Sequence, residues 1–249
     1  MLPPSGNVRF RLRVQRAIAH ATAPVWLPLL ALSLRLGGRW RIEGASALRA
    51  EYRALRGAGA GPLLVCPNHL TMIDSALVAS ALGSPGFFLR RWGALPWNLP
   101  EQSHFAANPF SAALTYLLKC LPLRRGGSRR ELAGVLDQAA WLLQNGDTVL
   151  VFPEGRRSRS GRVERDAVTW GPGRLLGAVS NCRVLCIYLR GDRQTGMGVL
   201  PARGQRFRVD FACLEPKSEE KGLRRSLDLT QQILATLAAL ETRYFDAGQ

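Results

Sequence analysis

Leu63-Leu64-Val65-Cys66-Pro67-Asn68-His69-Leu70-Thr71-Met72-Ile73-Asp74 decides how this chain folds. Its first four residues form a short, continuous apolar run, the pattern of a strand buried on both faces. Pro67-Asn68 breaks that run with a turn. Asp74–Leu82 then reads as a helix, stopped by Gly83-Ser84-Pro85-Gly86. A strand, a polar loop and a helix in this order form an α/β unit, and α/β folds collect their chemistry where strands end.

The same unit recurs downstream. Thr148-Val149-Leu150-Val151 is a second apolar run, and Phe152-Pro153-Glu154-Gly155-Arg156-Arg157-Ser158 follows it directly. Two polar clusters, each launched from a strand, predict one site assembled from two loops. Between and around them, short strands are expected at 39–43, 87–89, 120–123, 184–189 and 207–214. Helices are expected at 47–56, 110–118, 129–144, 173–180 and 221–244, with a loop at 93–109. Ser128 and Glu131 make a capping box for the helix at 129–144, and Asn145-Gly146 stops it. The expected fold class is α/β, a mixed sheet flanked by helices in one domain over 41–249.

Residues 1–40 read differently. Arg9, Arg11, Arg13 and Arg16 precede a stretch, 17–34, that contains no Lys, Arg, Asp or Glu. It is short for a span of ~20 apolar residues, and Pro24 and Pro28 interrupt it. Flanking arginines with Trp26 and Trp40 predict a membrane-associating segment that lies in the interface. Without an apolar core in its first 16 residues, the chain does not open on a cleavable secretory signal.

With 249 residues, 47% of them apolar, the chain can bury one sizeable core. Its 34 basic residues exceed 18 acidic ones for a net +16, almost all of the excess arginine. Such a chain seeks a polyanion: nucleic acid, an anionic membrane surface or a phosphorylated substrate. It lacks zinc-finger spacing, an aromatic RNA-binding signature and a lysine-rich tail, so no nucleic-acid partner is expected. The five cysteines (66, 120, 182, 186, 213) sit mostly in apolar runs and read as buried small hydrophobes, and no histidine cluster completes a metal site.

On a regular helix, residues five apart differ by about 140° and do not face one another. His69 and Asp74 therefore meet only if His69 lies in the loop and Asp74 in the first helical turn. In that geometry the carboxylate sets the imidazole tautomer and leaves the other ring nitrogen as a base. Spacing alone also fits a packed histidine beside a helix-capping aspartate. The second cluster changes the reading. Arg156, Arg157, Arg159 and Arg162 crowd behind Glu154-Gly155, and Arg124-Arg125 follows another short apolar run. Guanidinium forks bind phosphate bidentately, and a glycine lets the backbone come close. A base able to deprotonate a hydroxyl beside a phosphate-binding loop is the expected site.

Asn68-His69-x-Thr71-x-x-Asp74 resembles the NHx4D block of the glycerolipid acyltransferases, the lysophosphatidic-acid acyltransferase (PlsC-like) family. Residues 152–158 are similar to that family's FPEGTRS block. Leu121-Pro122-Leu123-Arg124-Arg125 resembles the block between them, and Val184-Leu185-Cys186-Ile187-Tyr188-Leu189-Arg190-Gly191 the fourth, hydrophobic block. The order is the family's, over residues 60–192. The resemblance implies an O-acyltransferase using acyl-CoA or acyl carrier protein as donor, with no cofactor, and a lysophospholipid acceptor, first of all lysophosphatidic acid. His69 would be the base and Asp74 its orienter; Arg125, Glu154, Gly155 and Arg157 would hold the acceptor. It implies work on an anionic membrane surface at the cytoplasmic face. Arg156 stands where the family usually has Thr, Arg124 where Asp is common, and Cys186 where Pro is usual. The arginine departures bear on the acceptor, so another lysolipid, such as lyso-ornithine lipid, stays open, as does a non-catalytic anionic-membrane-binding protein of the same fold.

Overall fold

Alternation along two strands builds the molecule, seen in a computed structural model that describes residues 3–57, 59–102, 108–124, 126–166 and 168–246. In β2 (Leu63–Pro67), Leu63 and Val65 face one helical layer, while Leu64 and Cys66 face the other. In β5 (Arg183–Gly191), Leu185, Ile187 and Leu189 alternate with Val184, Cys186 and Tyr188 in the same way. Both faces are buried, which is why these strands read as unbroken apolar runs.

The remaining strands are β1 (Arg41–Glu43), β3 (Trp97–Asn98), β4 (Thr148–Leu150) and β6 (Arg206–Leu214). The six-stranded sheet has the order β1-β6-β5-β2-β4-β3. Every pair is parallel except β5 with β6. One layer contains α1 (Gly6–Leu36), α2 (Ala45–Leu55), α3 (Asp74–Leu82) and α4 (Pro85–Arg90); the other contains α6 (Arg129–Gln144), α7 (Trp170–Ala178) and α8 (Gly222–Asp246). A further helix, α5 (Pro109–Leu117), lies beside α1. The fold is thus a mixed sheet flanked by helices, with a long apolar N-terminal helix.

Three expectations need correction. Residues 87–89 are not a strand but part of α4. Ser84 caps its start by accepting from Phe87 N, and Pro85 is set for the first helical position. Residues 120–123 form only isolated bridges, Cys120 with Asn98 and Leu123 with Glu101. The apolar N-terminal segment is one continuous helix through Pro24 and Pro28. Both prolines are exposed, as is His20; without an N–H on Pro24 and Pro28, the His20 and Pro24 carbonyls lose their intrahelical donors. Packing of Ala19, Ala23 and Leu27 into the core holds the helix across that gap.

A buried charge cluster anchors α1 as well. Asp147 accepts from Arg16 Nε at 3.1 Å and from the fully buried Lys119 Nζ at 3.1 Å. Lys119 also donates to the Leu95 carbonyl at 2.6 Å and the Trp92 carbonyl at 3.2 Å. Burial lowers its pKa to about 8 against the opposing pull of Asp147.

Candidate active site

Parallel β2, β4 and β5 end at the same edge of the sheet, so their following loops converge. His69 lies in the loop after β2, and Asp74 is the first residue of α3. His69 Nδ1 stands 3.0 Å from Asp74 Oδ2. The same oxygen accepts from Leu70 N at 2.5 Å and Thr71 N at 2.7 Å, and Oδ1 accepts from the Thr71 hydroxyl. Four donors thus converge on one carboxylate and close residues 69–74 into a rigid loop. A carboxylate facing Nδ1 is satisfied when that nitrogen carries the proton, which leaves the Nε2 lone pair as base. The His69 side chain keeps 15% exposure, so the ring is reachable from outside.

Neighbouring strands position this loop. Asn68 pairs with the Leu189 backbone in both directions, donating from Nδ2 at 3.2 Å and accepting at Oδ1 at 2.7 Å. Phe152, just past β4, stacks on the His69 ring with centroids 3.8 Å apart and planes 17° from parallel. Ser158 N donates to the His69 carbonyl at 2.9 Å, and Gly198 N to the Leu70 carbonyl at 2.9 Å.

The second cluster joins the first. Glu154 is 2% exposed, and Oε1 accepts from His69 N at 3.2 Å while Oε2 accepts from Glu164 N at 3.4 Å. Burial pushes its carboxyl up to about 7; the two backbone donors pull the other way. Glu154 therefore braces the His69 loop from behind. Gly155 adopts φ +67°, and a Cβ there would lie 2.6 Å from Thr169 Cγ2. Arg157 is half-buried and donates to the Gly198 carbonyl at 2.9 Å, beside the 69–74 loop. Arg156 is exposed and paired with Glu164 at 2.8 Å. Arg125 lies outside the described residues.

Several contributors carry weaker signals in sequence. Thr71, Asn68 and Phe152 belong to the quoted motifs; Thr71 bonds locally to Asp74, whereas only tertiary contact reveals what Asn68 and Phe152 touch. Glu241 of α8 has no motif around it. It accepts from Val163 N at 3.1 Å and from the Tyr188 hydroxyl at 3.1 Å, tying the arginine-rich loop to the C-terminal helix. Arg162 and Arg190 stack over Phe245 of the same helix at 3.6 and 5.0 Å. Among the described residues, no group of three or more His, Cys, Asp or Glu side chains is arranged to hold a metal.

A cavity of ≈ 650 Å³ lies on the α3 side of the sheet. Ser75 and Ala76, directly after Asp74, line it with Trp26, Leu30, Phe88 and Leu118. Its volume is that of an ordinary small-molecule site, and its walls are chiefly apolar.

Fold and site together define an α/β domain with an oriented imidazole at a parallel strand end, braced by a loop from the neighbouring strand. The comparison with protein families is consistent with this. Residues 39–204 match the Acyltransferase family model, and the chain belongs to that family. No curated protein matches the chain.

Proposed function

We propose that this acyltransferase moves an acyl chain from acyl-CoA or acyl carrier protein to the free hydroxyl of a lysophospholipid, with lysophosphatidic acid as acceptor and phosphatidic acid as product. The observation that supports the reading best is the 3.0 Å contact between His69 Nδ1 and Asp74 Oδ2 in a chain of the Acyltransferase family.

His69 Nε2 takes the proton of the acceptor hydroxyl as its oxygen attacks the thioester carbonyl. A C–O bond forms, the C–S bond breaks, and the departing thiolate recovers the proton from the imidazolium. Asp74 stabilises that imidazolium and holds the ring angle. Positioned proton transfer of this kind contributes ~10²–10⁴-fold. Arg157, with Arg125, binds the acceptor phosphate. Glu154 and Gly155 serve the acceptor site by fixing the loop that presents Arg157.

The acyl chain occupies the ≈ 650 Å³ cavity behind α3. The enzyme works at the cytoplasmic face of an anionic membrane, where the thioester donors are soluble and the lysolipid is not. The α1 helix supports membrane association, being long and apolar enough by length and composition to reach across a bilayer, with mean hydropathy 1.5 over its best window.

The test is thiol release from acyl-CoA with a panel of lysolipids, with product mass recorded. Turnover dependent on His69, lost in His69→Ala, is expected. Full turnover by that variant would overturn the base assignment, and preference for an acceptor without phosphate would overturn the lysophosphatidic-acid reading.

A further inference from the structure

α5 violates the usual rule for a surface helix. None of its nine residues, Pro109–Leu117, is charged, and only Thr115 is buried. Phe110 is 80% exposed, and Leu114 and Tyr116 are exposed as well. Water-facing helices turn charged residues outward, and an apolar patch left in solvent marks an interaction surface. The helix is nevertheless well defined. Pro109 occupies its first turn, and Asn108 and Ser111 form a complete capping box.

α5 is held beside α1. The buried Gln15 of α1 donates to the Tyr116 carbonyl at 3.0 Å and to the Cys120 carbonyl at 3.2 Å. Along α1, Val25, Leu29, Leu32 and Leu36 are exposed, on the side opposite the buried Ala19, Ala23 and Leu27. The two apolar surfaces share a cavity wall. Leu30 and Leu34 of α1, Leu114 of α5 and Leu118 just after it line the same ≈ 650 Å³ space. Leu114 belongs both to the outer patch and to the cavity.

Charge identifies the occupant. Residues 1–42 contain seven arginines and no Asp or Glu, and residues 102–130 contain no acidic residue. Arg9, Arg11, Arg13, Arg35 and Arg39 are exposed. A second copy would bring these arginines against their own kind, whereas an anionic bilayer meets the apolar patch with acyl chains and the arginines with headgroups.

We propose that α5 is a second membrane-inserting element. Phe110 and Leu114 enter the acyl region of an anionic bilayer beside the exposed stripe of α1, so the shared cavity opens to lipid at Leu114. Only the assignment of that cavity to an acyl chain rests on the proposed function; insertion itself is independent of it.

The experiment uses the full chain and vesicles of phosphatidylglycerol with phosphatidylcholine. Flotation of Phe110→Gln/Leu114→Gln is compared with that of Leu29→Gln/Leu32→Gln and of the parent, after confirming equal melting temperatures. Each pair is expected to weaken binding by about 30-fold or more, since each interfacial apolar side chain contributes roughly tenfold. In parallel, Phe110→Cys on a Cys213→Ser background carries a spin label; Cys213 is the exposed cysteine and the other four are buried. The label should be accessible to oxygen and shielded from a water-soluble nickel chelate once vesicles are bound. A label open to the chelate on bound protein overturns the proposal. So does unchanged binding of the α5 pair, including the case where that pair instead dissociates an oligomer. Unchanged binding of both pairs would overturn the membrane reading as a whole, whereas loss only with the α1 pair would sink α5 alone.

Discussion

Asp74→Asn separates the two jobs, loop closure and imidazolium stabilisation, that the proposed function gives to one carboxylate. Asp74 accepts from His69 Nδ1, from the backbone N–H groups of Leu70 and Thr71, and from the Thr71 hydroxyl. Leu70 and Thr71 are both buried. An asparagine oxygen in the Oδ2 position keeps the first three bonds. Its amide nitrogen then faces the Thr71 hydroxyl, which can rotate to accept. The structural cost is therefore small, about 1–2 kcal/mol for losing charge-assisted bonds. The catalytic cost is large, because a neutral amide cannot stabilise the imidazolium; turnover should fall by ~10²–10⁴-fold. Asp74→Ala is the contrast. It strands two buried backbone donors at about 1–3 kcal/mol each, a serious fraction of a total stability of about 5–15 kcal/mol. Thermal melting and thiol release from an acyl thioester, measured on both variants, read the two effects separately. If Asp74→Asn turned over within about threefold of the parent, less than ~0.7 kcal/mol of barrier would rest on the charge. The role assigned to the carboxylate charge would then be refuted.

Two further outcomes follow from the bracing loop. Burial raises the Glu154 carboxyl from 4.5 to about 7, so the folded protein keeps a proton that the unfolded chain releases. Stability contributed by this group is therefore present below about pH 4.5 and declines as pH rises toward 7, by up to about 3 kcal/mol. In Glu154→Gln that pH slope should vanish, while one donor, His69 N or Glu164 N, loses its acceptor; parallel melting curves against pH for parent and variant would refute the assignment. Gly155→Ala should destabilise by roughly 1–3 kcal/mol, from a left-handed backbone and a Cβ pressed on Thr169 Cγ2, and should lower turnover through Glu154. Unchanged melting would show that the loop absorbs the methyl group.

The elements most legible in sequence were those whose pattern is local. The helix expected at 129–144 is α6, with the capping box of Ser128 and Glu131 in place, and Asp74–Leu82 carries the expected bounds. The buried strands at β2 and β5 were legible because both faces of each are covered. Residues 87–89 misled, since Phe87-Phe88-Leu89 suits a strand by composition while Ser84 and Pro85 start a helix just before it. Residues 120–123 pair by single bridges, and such pairing leaves no period to read. The prolines of α1 looked like breaks because the compensating contacts, Ala19, Ala23 and Leu27 against the core, come from distant segments.

For the site, spacing set only a condition, that His69 and Asp74 meet if His69 lies in the loop and Asp74 opens a helix, and the structure meets that condition. What the sequence by itself determined was the inventory: an imidazole, a carboxylate five residues on, and an arginine loop after a second apolar run. These follow from local pattern, because strand and helix periods repeat over a few residues. Only the tertiary structure decided that β2 and β4 are parallel neighbours, which carries both loops to one edge and sets Glu154 under the His69 amide and Phe152 against its ring. That juxtaposition depends on the β2–β4 pairing, which joins residues more than eighty positions apart, such as Leu63 and Thr148, and no local pattern records it.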